Sequence, residues 1–207
     1  MTRRGWLATA AMAVKPRSVT VGAHPWVYAA KQPNSDPTPA LDQIFREFGG
    51  AGIDGIELMH AVLMTDGAVE RVKELSKRHK LPVIGTSWSA AMWKRDQRDA
   101  ILAQAATLIS RLQKVGGRTL GISVGDARRN KTAAEFDAQA EVLRQVMKIC
   151  ADHGVVANLH NHVYEVRDGE HDLNGTLERI PEIKLGPDLG WLYRAKVDPA
   201  DFIRRHK

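Results

Sequence analysis

The residues best suited to chemistry lie between Val155 and Glu165, where the chain reads Val-Val-Ala-Asn-Leu-His-Asn-His-Val-Tyr-Glu. With the two-residue period of a β-strand, Val155, Ala157 and Leu159 share one face, and Asn158, His160 and His162 share the other. Burying an amide and two imidazoles without partners costs a few kcal/mol. This face therefore opens onto a water-filled site or lines a metal or substrate pocket. Glu165 follows at the strand exit. A second acid stands one unit later, in Leu185-Gly186-Pro187-Asp188-Leu189-Gly190-Trp191, where alternation sets Asp188 opposite Ile183 and Leu185 and points it inward. Neighbouring parallel strands lie about 4.8 Å apart, which lets Glu165, His160 or His162, and Asp188 converge. Carboxylates with imidazole suit Mn, Mg, Co or Zn, and the lack of thiolates argues against a structural zinc.

The elements that must hold these groups are legible as strands alternating with helices. Val19 to Ala30 reads as a strand running into a loop, with His24 near its end, and Lys31 to Pro39 is loop. Thr38 and Pro39 open a helix with Leu41, Ile44, Phe45 and Phe48 on its apolar side, stopped by Gly49-Gly50. In Ile53 to His60, Ile56 and Leu58 face outward while Gly55, Glu57 and Met59 face inward, leaving Glu57 as a carboxylate on a buried strand. A helix over Val69 to His79, with Glu74 set to meet Arg78, leads to a strand over Leu81 to Trp88. Ala100 to Val115 carries Ile101, Ala105, Leu108, Leu112 and Val115 at helical period, and Thr119 to Val124 is the fourth strand. Thr132 and Glu135 form a Thr-x-x-Glu capping box for a helix bearing Phe136, Ala140, Leu143, Met147 and Cys150 on one side, with Gly154 ending it. After the polar strand come a short helix over Asp172 to Ile180, a sixth strand over Ile183 to Leu189, and an Asp198-Pro199 start for a last helix.

Six strands alternating with six helices at roughly 30-residue spacing imply a parallel sheet with crossover helices. No Gly-x-Gly-x-x-Gly follows the first strand and no Gly-Lys-Ser/Thr loop occurs, which removes support for a nucleotide-binding doubly wound sheet. Polar residues at the C-terminal ends of several strands fit a (β/α)8 TIM-barrel type of α/β fold. About six βα units are present, so the barrel is incomplete; two more would take about 60 further residues.

At 207 residues and 43% hydrophobic, one globular domain is expected. The single cysteine, Cys150, rules out an internal disulfide and sits on an apolar helix stripe. The net charge of +6 suits an anionic partner in principle, but the basic residues are scattered. The tight cluster Lys77-Arg78-His79-Lys80 closes a helix, where cations favour the dipole. No nucleic-acid partner is expected, and no apolar run approaches the roughly 18 residues that span a bilayer. Thr2-Arg3-Arg4-Gly5-Trp6-Leu7 followed by an alanine-rich stretch is similar to a twin-arginine export signal. Residues 1–16 are set apart from the fold, and the location is left open between cytoplasm and periplasm.

Three stretches together resemble the sugar phosphate isomerase/epimerase family, the xylose isomerase-like barrels that include inosose dehydratases. They are His160-Asn161-His162-Val163-Tyr164-Glu165, Gly186-Pro187-Asp188-Leu189-Gly190-Trp191-Leu192, and Val197-Asp198-Pro199 with Phe202-Ile203. Gly52-Ile53-Asp54-Gly55-Ile56-Glu57-Leu58 and Gly85-Thr86-Ser87-Trp88 are similar to that family as well. The resemblance implies a divalent metal held by a carboxylate after strand five, an Asp after strand six, a His after strand seven and a Glu after strand eight. Matched residue by residue, Glu165 and Asp188 are the first two ligands, with His160 as the alternative at strand five; the other two have no counterpart in this sequence.

The implied reaction is enolisation of a sugar or keto-sugar, a carboxylate or imidazole removing the proton beside a polarised carbonyl. Glu165, His160 and His162 are its candidate proton carriers, and the outcome is isomerisation, epimerisation or dehydration. Trp88 and Trp191 are either walls against the sugar ring or core residues. Glu57 accepts a substrate hydroxyl or joins an ion pair, and Arg194 meets an anionic substrate or stays solvated. Two other readings stand beside this one. The first is a non-catalytic barrel, or a subunit completed by a partner, whose open strand edges favour homo-oligomers. The second is an abasic-site endonuclease-like metal nuclease, which the scattered charge disfavours.

Overall fold

The computed structural model describes residues 19–206; the export-signal-like N-terminus lies outside them. Six parallel strands form one sheet in the order β1 to β6: β1 Gly22–Ala23, β2 Gly55–Met59, β3 Val83–Ser89, β4 Thr119–Ser123, β5 Val156–Leu159 and β6 Lys184–Leu185. Strand order follows chain order without a reversal, as a barrel requires and a doubly wound sheet does not. The long helices are α2 Leu41–Gly50, α4 Ala68–His79, α5 Arg98–Lys114, α6 Ala133–Asp152 and α7 Val163–Leu177, with α9 Pro199–Arg205 closing the series. Three short helices sit directly after strands: α1 Trp26–Ala29, α3 His60–Met64 and α8 Leu189–Arg194.

The core lies between the outer face of the sheet and the helices. Ile56, Leu58, Leu120 and Ile122 from the strands meet Leu108, Ile109 and Leu112 of α5, and Leu143 and Val146 of α6. All are buried, each contributing roughly 1.5–3 kcal/mol of transfer free energy. Cys150 is part of this packing, and burial pushes its thiol up to about 12. The Thr132–Glu135 capping box is formed at α6, Asp198 caps α9 through the Asp201 N–H, and Glu74 pairs with Arg78.

Several local features differ from the sequence expectation: the first strand shortens from residues 19–30 to Gly22–Ala23 and the sixth from residues 183–189 to Lys184–Leu185, each followed by a short helix, and two more features bear on the site. The helix expected over Asp172 to Ile180 begins at Val163 and ends at Leu177. It is broken by an extended Arg167 and by Asp168, Gly169 and Glu170 in left-handed conformation, with φ of 54, 70 and 63°. Arg205 of α9 binds Glu170 with a fork of two N–H donors at 2.6 and 2.9 Å, tying this break to the end of the chain. In β3 the register shifts by one residue: Ile56 pairs with Val83 but Glu57 pairs with Gly85. Ile84 is thus a bulge residue, and it lies where a Cβ on Gly22 or Gly55 would collide with it.

Candidate functional site

The inner face of the sheet carries polar groups in two layers above Ile84. In the lower layer, Gly121 of β4 has no side chain, and the space above it is shared. An added Cβ would stand 3.3 Å from Glu57 Oε1, 3.9 Å from Asn158 Oδ1 and 3.9 Å from His160 Cβ. Gly186 likewise leaves room for the Asn158 amide, which a Cβ there would strike. Two glycines therefore form the bed on which a carboxylate and an amide lie. Glu57 has no hydrogen-bond or ion-pair partner among the described residues, and burial raises its pKa above the ordinary value. The inward direction of Glu57, Asn158 and His160 follows the alternation of β2 and β5.

The upper layer is a rim of imidazoles. His24, just beyond β1, places Nε2 2.9 Å from Ser87 Oγ at the end of β3. His160 and His162 pack edge to face at 4.9 Å. His162 shares a hydrogen bond with Ser123 Oγ, 3.1 Å from Nδ1, and its ring lies 5.4 Å from Trp191. Asp188 is fixed at the start of α8: its N–H donates to Asn161 Oδ1 at 2.9 Å, and its Oδ1 accepts the Trp191 N–H at 3.0 Å. Burial lowers the pKa of His24, His160 and His162, and the charge of Asp188 opposes it at all three. Asp188 thus belongs electrostatically to the imidazoles.

Glu165 lies at the exit of β5, in the first turn of α7. It is 4% exposed, and its Oε2 accepts the His162 N–H at 2.7 Å, closing the first turn of α7. The same oxygen is 3.8 Å from His162 Nδ1, while Oε1 is buried with no partner. The carboxylate lines a nearly closed cavity of about 10 Å³ with Leu159, His160, Asn161, Leu173 and Phe202, and burial pushes its pKa up to about 8. Behind it lies a polar cluster that the sequence does not announce. Lys131 Nζ donates to Asp172 Oδ2 and to Gln139 Oε1, both at 2.7 Å. Gln139 Nε2 donates to Thr176 Oγ1 at 2.8 Å.

Of the candidate substrate contacts, Trp88 takes its core alternative and Arg194 lies exposed at the edge. Trp88 is 2% exposed and donates its Nε1–H to Gln104 of α5 at 3.1 Å. It faces the helices, on the opposite side of β3 from Ser87, and is core. Arg194 is exposed, its guanidinium 4.6 Å over the Trp191 ring, so it stacks at the outer edge of the rim. Trp191, half-buried between His162 and Arg194, remains beside the site. His24, Ser87 and Ser123 join the site without having been assigned a role by type and spacing, whereas Asn158 is expected on this face with His160 and His162; the signal for the other three was the strand-end position shared with His160.

A divalent ion needs several donors at one point. Asp188 Oδ1 and Glu165 Oε2 are each committed to a backbone N–H. Among the described residues no three His, Cys, Asp or Glu side chains come together to hold an ion. The donor types suit a divalent metal, but their arrangement does not gather them around one.

A family model described as xylose isomerase-like TIM barrel matches residues 45–207. No curated protein matches the chain. Several solved structures share the fold. A sugar phosphate isomerase/epimerase from Parabacteroides distasonis is 12% identical with a TM-score of 0.71, over 94% of this chain and 74% of that one. A 3-keto-D-glucoside 4-epimerase from E. coli is 16% identical with a TM-score of 0.68, over 92% and 75%. A D-allulose 3-epimerase from Methylomonas sp., in complex with D-allulose, is 16% identical with a TM-score of 0.74, over 92% and 69%.

Proposed function

The chain belongs to the xylose isomerase-like TIM-barrel family, and from that premise we propose that it binds a keto-sugar on its inner face and moves a proton on the carbon beside the carbonyl, as a sugar epimerase or isomerase. The observation that carries this reading is the shared space over Gly121, into which Glu57, Asn158 and His160 all project. His160, kept neutral at pH 7 by burial, takes the proton. Efficient proton transfer needs such a base in contact with the carbon acid. The Asn158 Nδ2 donates to no group among the described residues and serves the oxygen on which charge develops. Glu57 accepts a sugar hydroxyl, and Trp191 walls the ring. His162, held by Ser123, positions His160 through their ring contact. A bound divalent ion would polarise the carbonyl, but the described residues do not gather as a set to hold one. Glu165, capping α7, supports the rim from beneath.

The test is deuterium incorporation from D2O into D-fructose, D-allulose and D-tagatose, read by NMR with the full chain. Exchange at the carbon beside the carbonyl, lost from at least one of these sugars in His160→Asn, is the expected result; no exchange into any of them refutes the reading. A second reading, sugar binding without turnover, is favoured by the lack of a three-donor group among the described residues. It predicts saturable binding of the same sugars with no exchange.

A further inference from the structure

Helix α9 grips α7 at two points. Its one buried side chain, Phe202, lines the small cavity that also holds the Glu165 carboxylate. One turn on, Arg205 binds Glu170 with its two terminal N–H groups, 2.9 and 2.6 Å from the carboxylate oxygens. The guanidinium is held ready for this by its own helix, Nε donating to Asp201 at 3.0 Å. The first grip lies before the break in α7 and the second lies within it.

The break itself is strained. Asp168, Gly169 and Glu170 stand consecutively in left-handed conformation, which glycine adopts freely and a residue with a Cβ does not, least of all in a run. Such a turn persists only where its surroundings fix it. Here they are the Arg205 fork and Asn174, whose Nδ2 donates to Gly169 O at 3.1 Å. Right-handed turns already stand on both sides of the break, so relaxation of residues 167–170 would join them into one helix. The first of those turns carries Glu165 and starts at His162, whose N–H is bound by Glu165 and whose ring meets Ser123 at the rim. The grip is also releasable: a seven-residue helix with a single buried side chain belongs to the low-stability part of a fold.

We propose that α9 is a clasp on the mouth of the site. Docked, it holds the turn at residues 168–170 left-handed and thereby fixes His162 at the rim. Undocked, it lets the turn relax into right-handed helix, which swings the start of α7 and loosens the β5 side of the mouth while the sheet stays folded. The two states differ in named contacts, the Arg205 fork and the seat of Phe202, so anything that draws on α9 shifts the balance between them. The clasp needs no sugar chemistry, and its failure leaves the proton-transfer reading untouched.

Hydrogen–deuterium exchange of the full chain, read by mass spectrometry, tests this at Asp168, which is exposed and paired with its neighbour Arg167 at 3.6 Å. Asp168→Gly and Asp168→Ala lose the same ion pair, but Gly favours the left-handed turn and Ala the continuous helix. Exchange over residues 163–170 should be slower in the Gly variant than in the Ala variant by about ten-fold or more. Arg205→Ala should speed the same segment by about ten-fold with β3 and β4 unchanged, and Arg205→Lys, which keeps the charge but not the fork, should fall between. The His162 ring signals, followed by NMR, should shift in Arg205→Ala and return toward wild type when Asp168→Gly is added. Equal exchange in the two Asp168 variants, an unchanged segment in Arg205→Ala, or faster exchange spread evenly over the sheet overturns the clasp.

Discussion

Substituting Glu165 by Gln tests the site from behind, through the pH dependence of stability. The Glu165 carboxyl is pushed up from 4.5 to about 8, chiefly by burial, against the His162 N–H that favours the charged form. The native state therefore holds this proton more tightly than the unfolded chain. Its contribution is complete below about pH 4.5 and is lost as pH rises toward about 8. At about 1.4 kcal/mol per pH unit, the loss over that window has a ceiling near 5 kcal/mol, and local relaxation with entry of water brings it to about 3 kcal/mol. Gln keeps the acceptor for the His162 N–H, fills the same space beside Leu173 and Phe202, and does not ionise. Urea unfolding of both proteins at pH 5, 6, 7 and 8 should show the variant gaining on wild type by about 3 kcal/mol across the series. Parallel stability profiles would refute the placement of this carboxyl in a dry pocket.

Three further outcomes follow from the same structure. Lys131→Met leaves Asp172 buried without its 2.7 Å partner and should cost about 3–5 kcal/mol; adding Asp172→Asn should recover part of it in a double-mutant cycle measured by urea unfolding. Trp88→Phe removes only the bond to Gln104 and should cost about 1 kcal/mol with sugar binding unchanged, whereas Trp191→Ala should weaken sugar binding, both read by calorimetry. Metal analysis of the purified chain after dialysis should find well under one divalent ion per molecule, and full occupancy would mean that the donor set closes in a way the described residues do not show.

The sequence carried much of this architecture where periodicity is long or unambiguous. The stripes of α5 and α6, the capping box at Thr132 and the inward parity of β2 and β5 all follow from local rules acting over several residues. The short helices α1, α3 and α8 were not legible, because four to six residues cannot form a helix from propensity alone and depend on packing at the rim. The start of α7 was hidden for another reason. His162 is an unusual N-cap, and the sign to read was Glu165 three residues on, the acidic half of a capping box. That residue accepts the His162 N–H through Oε2. The cluster of Lys131, Gln139 and Asp172 draws on two helices and the loop before them, so spacing could not bring its members together.

Ile84 has a consequence for how this family is aligned and engineered. Side chains along a strand alternate strictly, and one extra residue reverses every assignment downstream of it. Because Ile84 is that extra residue, Ser87 faces the imidazoles and Trp88 the helices. Deleting a single residue here would exchange them, driving an indole into the mouth of the site and a serine into the oily layer beneath α5. A one-residue gap at this strand in a relative therefore marks a different set of groups lining the mouth, and a redesign that straightens the strand would rebuild the site without touching any residue in it.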